Sequence, residues 1–421
     1  MPHPNLTETL STDTSAGASV SELKPREPLL RSDLATLAVR SGIASDTAHG
    51  AVVPPLHLSS NFTFAGFGEK RPYDYTRSGN PTRAELEKAL AGLEGGAGAT
   101  CTSSGMSAVT LAIHAFALAR RSGDRKPRII AQHDCYGGTH RLISSLAEAG
   151  LLDVAWIDLS GAEGAACVAA AGPAELVWIE TPSNPLLRVV DIAAVSRAAG
   201  DAKVVVDNTF LSPALQNPLE LGADLVLHST TKSINGHSDV VGGALIAKTA
   251  EDAEQGAWWA NNLGLPQAPF DTYLTLRGIR TLHARWAVHE ASSRALAERL
   301  QAHRAVSKVY YPGLTSHEGH DIAVAQQRGF GAIISIEVEG GVAGAKTFVE
   351  GLRVFCLAES LGGVESLVAH PATMTHAAMD PAARAAAGIG DGLLRLSVGL
   401  ESVEDLAADL DSALAGVRKV A

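Results

Sequence analysis

The chain has 421 residues, of which 46% are hydrophobic and 19% charged, so it is long enough for two or three domains and apolar enough to bury a core. Its 34 basic and 45 acidic residues leave a formal charge of -11, which argues against nucleic acid as a partner because backbone binding needs a concentrated positive surface. No apolar run reaches the roughly 20 residues of a bilayer span, so we expect no membrane partner. Four widely spaced cysteines suit neither a disulfide framework nor a CxxC metal site, which favours a cytoplasmic location.

The first elements are an extension and two helices. Residues 1–35 are rich in Ser, Thr, Pro and Glu and lack an apolar signal core, which predicts a disordered extension. Thr82 opens a capping-box pattern, and the apolar spacing after it predicts a helix that stops at Gly95. A second helix is predicted to begin after 103–105 and to end near Gly123.

The middle of the chain alternates short β-branched runs with alanine-rich or leucine-rich segments. This alternation is typical of a buried parallel sheet covered by helices. The predicted strands are 128–131, 154–158, 176–180, 203–207 and 225–229. Beyond residue 285 the pattern changes to long helical stretches at 288–303 and 403–416, with strands at 331–338 and 393–398, which predicts a smaller α+β domain.

Several common catalytic motifs are absent from the sequence. It has no GxxxxGK[ST] phosphate loop, no HExxH, no GxSxG, and its glycine-rich stretch 95–98 does not complete GxGxxG. His317 and His320 form a pair without a third ligand in view, so we predict no metal site there.

Two polar residues instead follow neighbouring predicted strands. Asp207 closes one strand and Lys232 comes shortly after the next, and the 25 residues between them suit one crossover connection. Alone, the aspartate reads as a turn former or helix cap, and the lysine as a solvated loop residue. Together they match the needs of a pyridoxal phosphate ring, which takes a carboxylate at its ring nitrogen and an amine on the opposite edge.

The phosphate of such a cofactor needs hydrogen-bond donors. The segment 103–106 (SSGM) supplies small side chains and backbone amides at a helix N-terminus, where the dipole favours an anion. Ser229 and Thr231, just before Lys232, can add hydroxyl groups. The segment is an ordinary helix start by itself, and its value as a phosphate site rests on the combination.

Longer strings carry a resemblance to a known family. These are YTRSGNPT (75–82), SSGMSA (103–108), CYGGTHR (135–141), ETPSNP (180–185), DNTF (207–210), HSTTKSINGHSD (228–239), LAESLGG (357–363) and RLSVGLE (395–401). They resemble the pyridoxal-phosphate-dependent enzymes of cysteine and methionine metabolism, over nearly all of the chain after residue 35. The stretches 210–229 and 357–367 look most like bacterial members that carry out γ-replacement.

The resemblance implies a fold type I enzyme, in which a large, mostly parallel sheet with helices on both faces is followed by a smaller C-terminal α+β domain. It divides the chain into an extension (1–35), an arm that contacts the neighbouring subunit (36–77), a cofactor-binding α/β domain (78–285) and a C-terminal domain (286–421). It also implies a homotetramer built from two active-site dimers.

The resemblance further assigns roles to individual residues. Lys232 is expected to be the Schiff-base lysine, Asp207 the partner of the ring nitrogen, and Tyr136 a stacking and proton-transfer residue. The cofactor-binding set is completed by Asn184 beside the ring hydroxyl, by Ser104, Gly105, Met106, Ser229 and Thr231 at the phosphate, and by Tyr75 and Arg77 reaching over from the neighbouring subunit. The substrate-binding set is Arg395 and Ser360 at the α-carboxylate, Asn184 nearby, and Glu359, Arg141 and Asp74 at the distal end.

The implied reaction joins O-succinyl-L-homoserine to L-cysteine, giving L-cystathionine and succinate in methionine biosynthesis. Cystathionine γ-lyase and O-acylhomoserine sulfhydrylase activities use the same machinery and remain alternatives, and a non-catalytic relative of the fold is a remote one. Ser78 is a departure, because the bacterial γ-replacement enzymes often have a second arginine at that position and a serine is also found among the γ-lyases.

Overall fold

The computed structural model describes residues 33–120, 125–375, 377, 384 and 387–417. Residues 1–32 of the predicted N-terminal extension therefore lie outside the described residues. Helix α1 (Leu34–Arg40) begins at residue 34, inside the last three residues of the predicted extension 1–35. The carboxylate of Asp33 caps this helix by accepting from the amide of Ala35 at 2.8 Å. From there to residue 80, the described chain forms turns and isolated bridges such as Asn61 with Tyr75.

Helix α2 (Pro81–Glu94) ends at Gly95 as predicted, but the capping residue predicted for it was wrong. The N-cap is Asn80, whose side-chain oxygen accepts from the amides of Thr82 at 2.9 Å and Arg83 at 3.3 Å. Proline suits the first helical position because its missing N–H has no intrahelical partner there, so the helix starts one residue before Thr82. The Thr82 hydroxyl instead donates to the carbonyl of Pro55 at 3.1 Å.

Helix α3 (Gly105–Phe116) begins where the sequence predicts, with Ser104 as its N-cap. It ends at Phe116, well short of Gly123, and a single 3₁₀ turn follows at Leu118–Arg120. Ala117 caps the helix with an ordinary αR backbone, so no glycine or proline marks this end.

The large domain contains a seven-stranded sheet with the order β1-β7-β6-β5-β4-β2-β3. β7 runs antiparallel to both of its neighbours, and the remaining pairs are parallel. Its strands are β1 (Gly98–Thr102), β2 (Arg128–Gln132), β3 (Asp153–Ile157), β4 (Leu176–Glu180), β5 (Lys203–Asp207), β6 (Leu225–His228) and β7 (Gly243–Ala247). The five predicted strands are confirmed to within one residue at each end, whereas β1 and β7 were not predicted.

Helices cover both faces of this sheet, and alternate residues of each strand face opposite cores. Val204 and Val206 pack on one side with α2, and Val205 packs on the other with α3. The remaining helices of the large domain are α4 (Gly137–Glu148), α5 (Gly164–Ala171), α6 (Ile192–Ala198), α7 (Ser212–Leu215), α8 (Ala250–Leu263) and α9 (Pro269–Ile279). The predicted fold class, a mostly parallel sheet with helices on both faces, is confirmed.

Helix α10 (Leu282–Gln301) leads into the smaller domain. It begins six residues before the helix predicted at 288–303. Its five-stranded sheet has the order β10-β11-β12-β9-β8 and is antiparallel except between β10 and β11. The strands are β8 (Val306–Tyr310), β9 (Ile333–Val338), β10 (Cys356–Leu357), β11 (Leu367–Ala369) and β12 (Leu393–Ser397), and the helices are α11 (His320–Gln326), α12 (Gly341–Gly351) and α13 (Val403–Val417). A separate apolar core joins this sheet to α10, α12 and α13.

Two further observations concern the described part of the chain. None of its helices is both long and apolar enough to cross a bilayer. No group of three or more His, Cys, Asp or Glu side chains within it is placed to hold a metal ion. His320 instead donates through Nδ1 to the carbonyl of Pro312 at 2.8 Å.

Candidate active site

A cavity of about 300 Å³ opens between the two domains, at the carboxyl ends of the parallel strands. This edge is where open α/β sheets bind their ligands. Its lining combines the loops after β2, β4, β5 and β6 with the N-terminus of α3 and with residues of the smaller domain. Of the residues expected in the site, the cavity brings together Ser104, Gly105, Met106, Tyr136, Asn184, Asp207, Ser229, Thr231, Lys232, Glu359, Ser360 and Arg395.

Lys232 points into this cavity from the turn after β6. Its Nζ donates to the hydroxyl of Ser360 at 2.7 Å. Burial, assisted by the positive charge of Arg395 and opposed by Glu359, lowers the pKa of Lys232 to about 8. An amine with this pKa is partly uncharged near neutral pH, which both nucleophilic attack and proton transfer require.

Arg395, in the middle of β12, is 2% exposed and has no carboxylate partner among the described residues. Its guanidinium donates to the side-chain oxygen of Asn184 at 2.9 Å and to the carbonyl of Ser360 at 2.8 Å, while its buried Nε has no hydrogen-bond partner in the described part of the chain. Burial lowers the pKa of Arg395 to about 10. A buried, charged fork with no carboxylate of the described residues within ion-pair distance is suited to a carboxylate brought in by a substrate.

Ser360 joins these two basic residues. Its hydroxyl contacts Lys232, and its carbonyl accepts from Arg395. The backbone of Ser360 has a φ of 86°, in the left-handed region that side chains other than glycine rarely adopt. Such conformations cluster at functional sites because the surrounding structure must hold them in place.

Two buried carboxylates lie side by side at the ends of β4 and β5. Glu180 and Asp207 are opposite each other in the strand register, and both line the cavity. Burial raises the pKa of Asp207, against two hydrogen bonds from Thr209 that lower it. Burial, with the negative charge of Asp207 added, raises the pKa of Glu180 well above its usual range. A positively charged group bound beside this pair would favour its ionised form.

Thr209 connects the two strand ends on the cavity side. Its hydroxyl donates to Asp207 Oδ1 at 2.5 Å and accepts from the amide of Ser229 at 2.9 Å. The hydroxyl of Thr231 is already engaged with both the carbonyl and the amide of Gly242, at 3.1 and 3.0 Å. Ser229 therefore presents the more available hydroxyl group of the two.

The N-terminus of α3 closes the cavity next to Ser229. A Cβ atom added at Gly105 would lie 2.8 Å from the Cβ of Ser229, so glycine lets the helix start against that strand end. Ser104 caps the helix by accepting from the amide of Ser107 at 3.0 Å. The first amides of a helix have no intrahelical acceptor, so those of Gly105 and Met106 could donate to an anion bound in the cavity.

Glu180 also fixes two other residues of the site. Its carboxylate accepts from the amide of Tyr136 at 2.6 Å and from the amide of Asn184 at 2.9 Å. Tyr136 is the N-cap residue of α4, lines the cavity and is 41% exposed. One buried acid thus sets the backbone positions of the residues expected to stack on the ring and to contact its hydroxyl.

Four of the expected residues do not line the cavity of their own chain. Arg77 donates to the carbonyl and side-chain oxygen of Asn261, both at 2.8 Å, with its guanidinium carbon 5.6 Å from the centre of the Tyr75 ring. Asp74 pairs with Lys70 at 2.9 Å. Arg141 lies exposed on α4.

Sequence reasoning missed several residues that the cavity contains. They are Val109, Glu180, Thr209, Phe210, Leu227, Val241, Leu361 and Thr375. For Glu180 a signal was present, because its strand ends in an acid just as the Asp207 strand does. Thr209 lay within the DNTF string, but nothing in the sequence shows that its hydroxyl bonds to Asp207.

The fold and the residues of the cavity are those of an α/β enzyme of the pyridoxal-phosphate-dependent class. Residues 35–415 match the family model described as Cys/Met metabolism PLP-dependent enzyme. The chain is 53% identical to the cystathionine gamma-synthase of Escherichia coli K12, over 91% of this chain and 98% of that enzyme. It is also 46% identical to a cystathionine beta-lyase of Lactococcus lactis subsp. cremoris, over 90% of this chain and 98% of that enzyme.

Solved structures of similar enzymes support the same family assignment. The cystathionine gamma synthase of Xanthomonas oryzae pv. oryzae, in complex with aminoacrylate and cysteine, superimposes with a TM-score of 0.89 and 57% identity, covering 93% of this chain and 100% of that one. The chain therefore belongs to the Cys/Met metabolism PLP-dependent enzyme family, which confirms the resemblance seen in the sequence.

Proposed function

We propose that the chain uses pyridoxal 5'-phosphate to join O-succinyl-L-homoserine and L-cysteine into L-cystathionine, releasing succinate. The observation that carries this proposal is Arg395, a buried guanidinium without a carboxylate partner among the described residues, in the same cavity as Lys232. An amino-acid substrate supplies the missing carboxylate, and its amino group belongs beside the lysine. The names of the similar enzymes support the choice of reaction.

The chemistry of the cavity fits this cofactor. Lys232 offers an amine with a lowered pKa, and Asp207 offers a buried carboxylate that a protonated ring nitrogen would keep ionised. Tyr136 would lie against the ring and Asn184 beside its hydroxyl. The phosphate would be held by Ser104, Gly105, Met106, Ser229 and Thr231, with Tyr75 and Arg77 contributed by a neighbouring subunit.

When bound, pyridoxal phosphate supplies an electron sink for the pair of electrons released as a substrate proton leaves. Lys232 takes the Cα proton and returns a proton to the substrate, because its pKa of about 8 allows both transfers near neutral pH. Arg395 and Ser360 hold the α-carboxylate of the substrate, with Asn184 keeping the guanidinium in place at 2.9 Å. Tyr136 would assist proton transfer at the leaving group or at the incoming thiol.

The overall change is a substitution at Cγ of the homoserine unit. The Cγ–O bond breaks and succinate leaves with the electron pair, and a Cγ–S bond forms with the cysteine sulfur. The thiol loses one proton, so the charges balance. Glu359, at the rim of the cavity, together with Arg141 and Asp74, would face the distal ends of the two substrates.

Exposed apolar side chains near Tyr75 and Arg77 support an assembly of several subunits as part of this proposal. Tyr75 and Arg77 lie on the segment 41–80, which has little regular structure of its own in the described chain. Phe64 and Phe67 on this segment are 45% and 108% exposed, so it presents apolar surface that a second subunit would cover. We place the active form as a cytoplasmic homotetramer of two dimers, each dimer sharing its active sites.

A γ-lyase is the second candidate, because Ser78 stands where a second arginine would bind a distal carboxylate. The Ser78 hydroxyl is within hydrogen-bond distance of Asp74 Oδ1, at 3.1 Å, and of the carbonyl of Tyr75, at 2.9 Å. Sulfhydrylase activity, with sulfide replacing cysteine, is the remaining alternative.

A steady-state assay separates these activities. Cystathionine formation is measured with cysteine and with succinyl, acetyl or phosphoryl homoserine, beside cystathionine breakdown and use of sulfide, with Lys232→Ala as the inactive control. We expect formation from O-succinylhomoserine to have the highest kcat/KM. Faster breakdown than formation would replace the proposal with a lyase, and a preference for sulfide would replace it with a sulfhydrylase.

A further inference from the structure

Behind the cavity, on the opposite side of the strand ends, lies a fully buried polar cluster centred on Glu94, the last residue of α2. Glu94 is 0% exposed. One of its carboxylate oxygens accepts from His228 Nε2 at 2.6 Å and from the Asn208 amide at 3.0 Å, and the other accepts from the Asn217 amide at 3.0 Å. A buried acid at the negative end of a helix is unfavourable, so these bonds are what stabilises it there.

The contacts of Glu94 fall on the two chain segments that carry the site. Asn208 directly follows Asp207, and His228 directly precedes Ser229. Because successive residues of a strand point to opposite faces, Asp207 and Ser229 face the cavity while their neighbours face Glu94. Thr209 bridges the two strand ends from the front, and Glu94 bridges the same ends from behind.

The hydrogen-bond partners of His228 indicate where the proton of this pair lies. His228 Nδ1 is buried and has no partner among the described residues. A doubly protonated ring would leave that N–H unpaired, which is costly, so we assign a neutral imidazole that donates through Nε2 to the Glu94 carboxylate. The negative charge is linked through Asn217 to the guanidinium of Arg328, which donates to the Asn217 side-chain oxygen at 2.5 Å.

We infer that Glu94, acting through His228 and Asn208, is a positioning residue that sets the separation of Asp207 and Ser229. Through that separation it sets how well the chain binds both the ring nitrogen and the phosphate of the cofactor. This inference rests on the proposed function, since it takes those two residues to hold pyridoxal phosphate. It goes beyond that function because Glu94 touches neither the cavity nor a substrate.

The test replaces the carboxylate by an isosteric amide. In Glu94→Gln the amide NH₂ must face a donor, either Asn208 beside His228 or Asn217 on the other side, so at least one hydrogen bond is lost. The apoprotein variants are titrated with pyridoxal 5'-phosphate at pH 8, and the dissociation constant and the visible absorbance of the loaded protein are measured. Loss of one bond to a charged group predicts an affinity about tenfold weaker and a shifted pH midpoint of the absorbance band.

Glu87→Gln is the matched control. Glu87 lies two turns earlier on the same face of α2, and it accepts from the amide of Cys101 at 3.0 Å, away from the strands that carry Asp207 and Ser229. Burial raises the pKa of Glu87 to about 7, so at pH 8 this control also replaces a largely ionised carboxylate. We expect its cofactor affinity to stay within about twofold of wild type.

A second pair of variants covers the case in which Glu94→Gln fails to fold. His228→Gln keeps a donor near the Nε2 position and should bind the cofactor almost as wild type does, whereas His228→Leu should bind about tenfold more weakly. Equal affinities in this pair, or a Glu94→Gln protein with wild-type affinity and absorbance whatever its thermal stability, would overturn the inference. A wild-type chain that takes up no cofactor would instead refute the proposed function.

Discussion

The lowered pKa of Lys232 allows a numerical prediction of how the reactivity of its amine depends on pH. Burial and the charge of Arg395 lower the pKa of Lys232 from 10.5 to about 8. At pH 7 about one apoprotein molecule in ten then has an uncharged amine, against about one in 3,000 for an ordinary lysine. The chain should therefore make this amine roughly 300-fold more available before any cofactor arrives.

Competitive labelling measures this availability directly. Apoprotein is treated with trace acetic anhydride from pH 6 to pH 11, and peptide mass spectrometry follows Lys232, with the exposed Lys346 as an internal reference. Labelling of Lys232 should rise with a midpoint near pH 8. Arg395→Met removes a positive charge and should move the midpoint up by about one pH unit, whereas Glu359→Gln removes a negative charge and should move it down. A midpoint near 10.5, or one that neither variant moves, would refute the reasoning.

Three further predictions concern the neighbouring residues. Inactive Arg77→Ala and Lys232→Ala proteins should regain partial activity when mixed and reassembled, because one hybrid site then contains both wild-type groups. Arg141→Ala should lower kcat/KM for O-succinylhomoserine by one to two orders of magnitude, since a guanidinium pairing a carboxylate contributes about 1.5 to 3 kcal/mol, and should spare O-acetylhomoserine, which lacks the distal carboxylate. Glu180→Gln should weaken cofactor binding most at high pH, because burial raises the pKa of Glu180 and the wild-type group becomes a neutral acid as the pH falls.

Each of these predictions has a contrary result. No recovery of activity despite subunit exchange proven by native mass spectrometry would place Arg77 in the site of its own chain. An equal drop for both acyl substrates would leave Arg141 with a structural role at the start of α4. For Glu180, a ratio of variant to wild-type dissociation constants that is the same from pH 6 to pH 9 would contradict a titrating carboxylate.

The parallel strands and the positions of Asp207 and Lys232 at their ends could be predicted, because the apolar pattern that marks such a strand lies within a few consecutive residues. A run such as 203–207 is apolar, β-branched and closed by an acid, so both its buried state and the position of Asp207 follow from the sequence. The neighbouring strand then brings Lys232 to the same edge, as the structure confirms. β1 and β7 escaped prediction because GATCT and GALIA begin with glycine and alanine, which have little strand preference, and neither contains a continuous β-branched run.

Contacts between distant segments could not be predicted. Glu94 and His228 are 134 residues apart, and neither lies in a motif that refers to the other. Asn80 is the N-cap of α2 because proline occupies the next position. The capping-box pattern at Thr82 led to a different prediction. The hydrogen bond between Lys232 and Ser360 crosses from one domain to the other, and only the packing of the two domains creates it.

The central claim is that Lys232 is the residue to which the cofactor becomes attached. Protein loaded with pyridoxal 5'-phosphate is reduced with borohydride, digested and mapped by mass spectrometry, with a folded Lys232→Ala protein as the control. We predict a single reduced adduct on Lys232 and none in the variant. A principal adduct on any other lysine, or an unchanged yield in Lys232→Ala, would contradict the account.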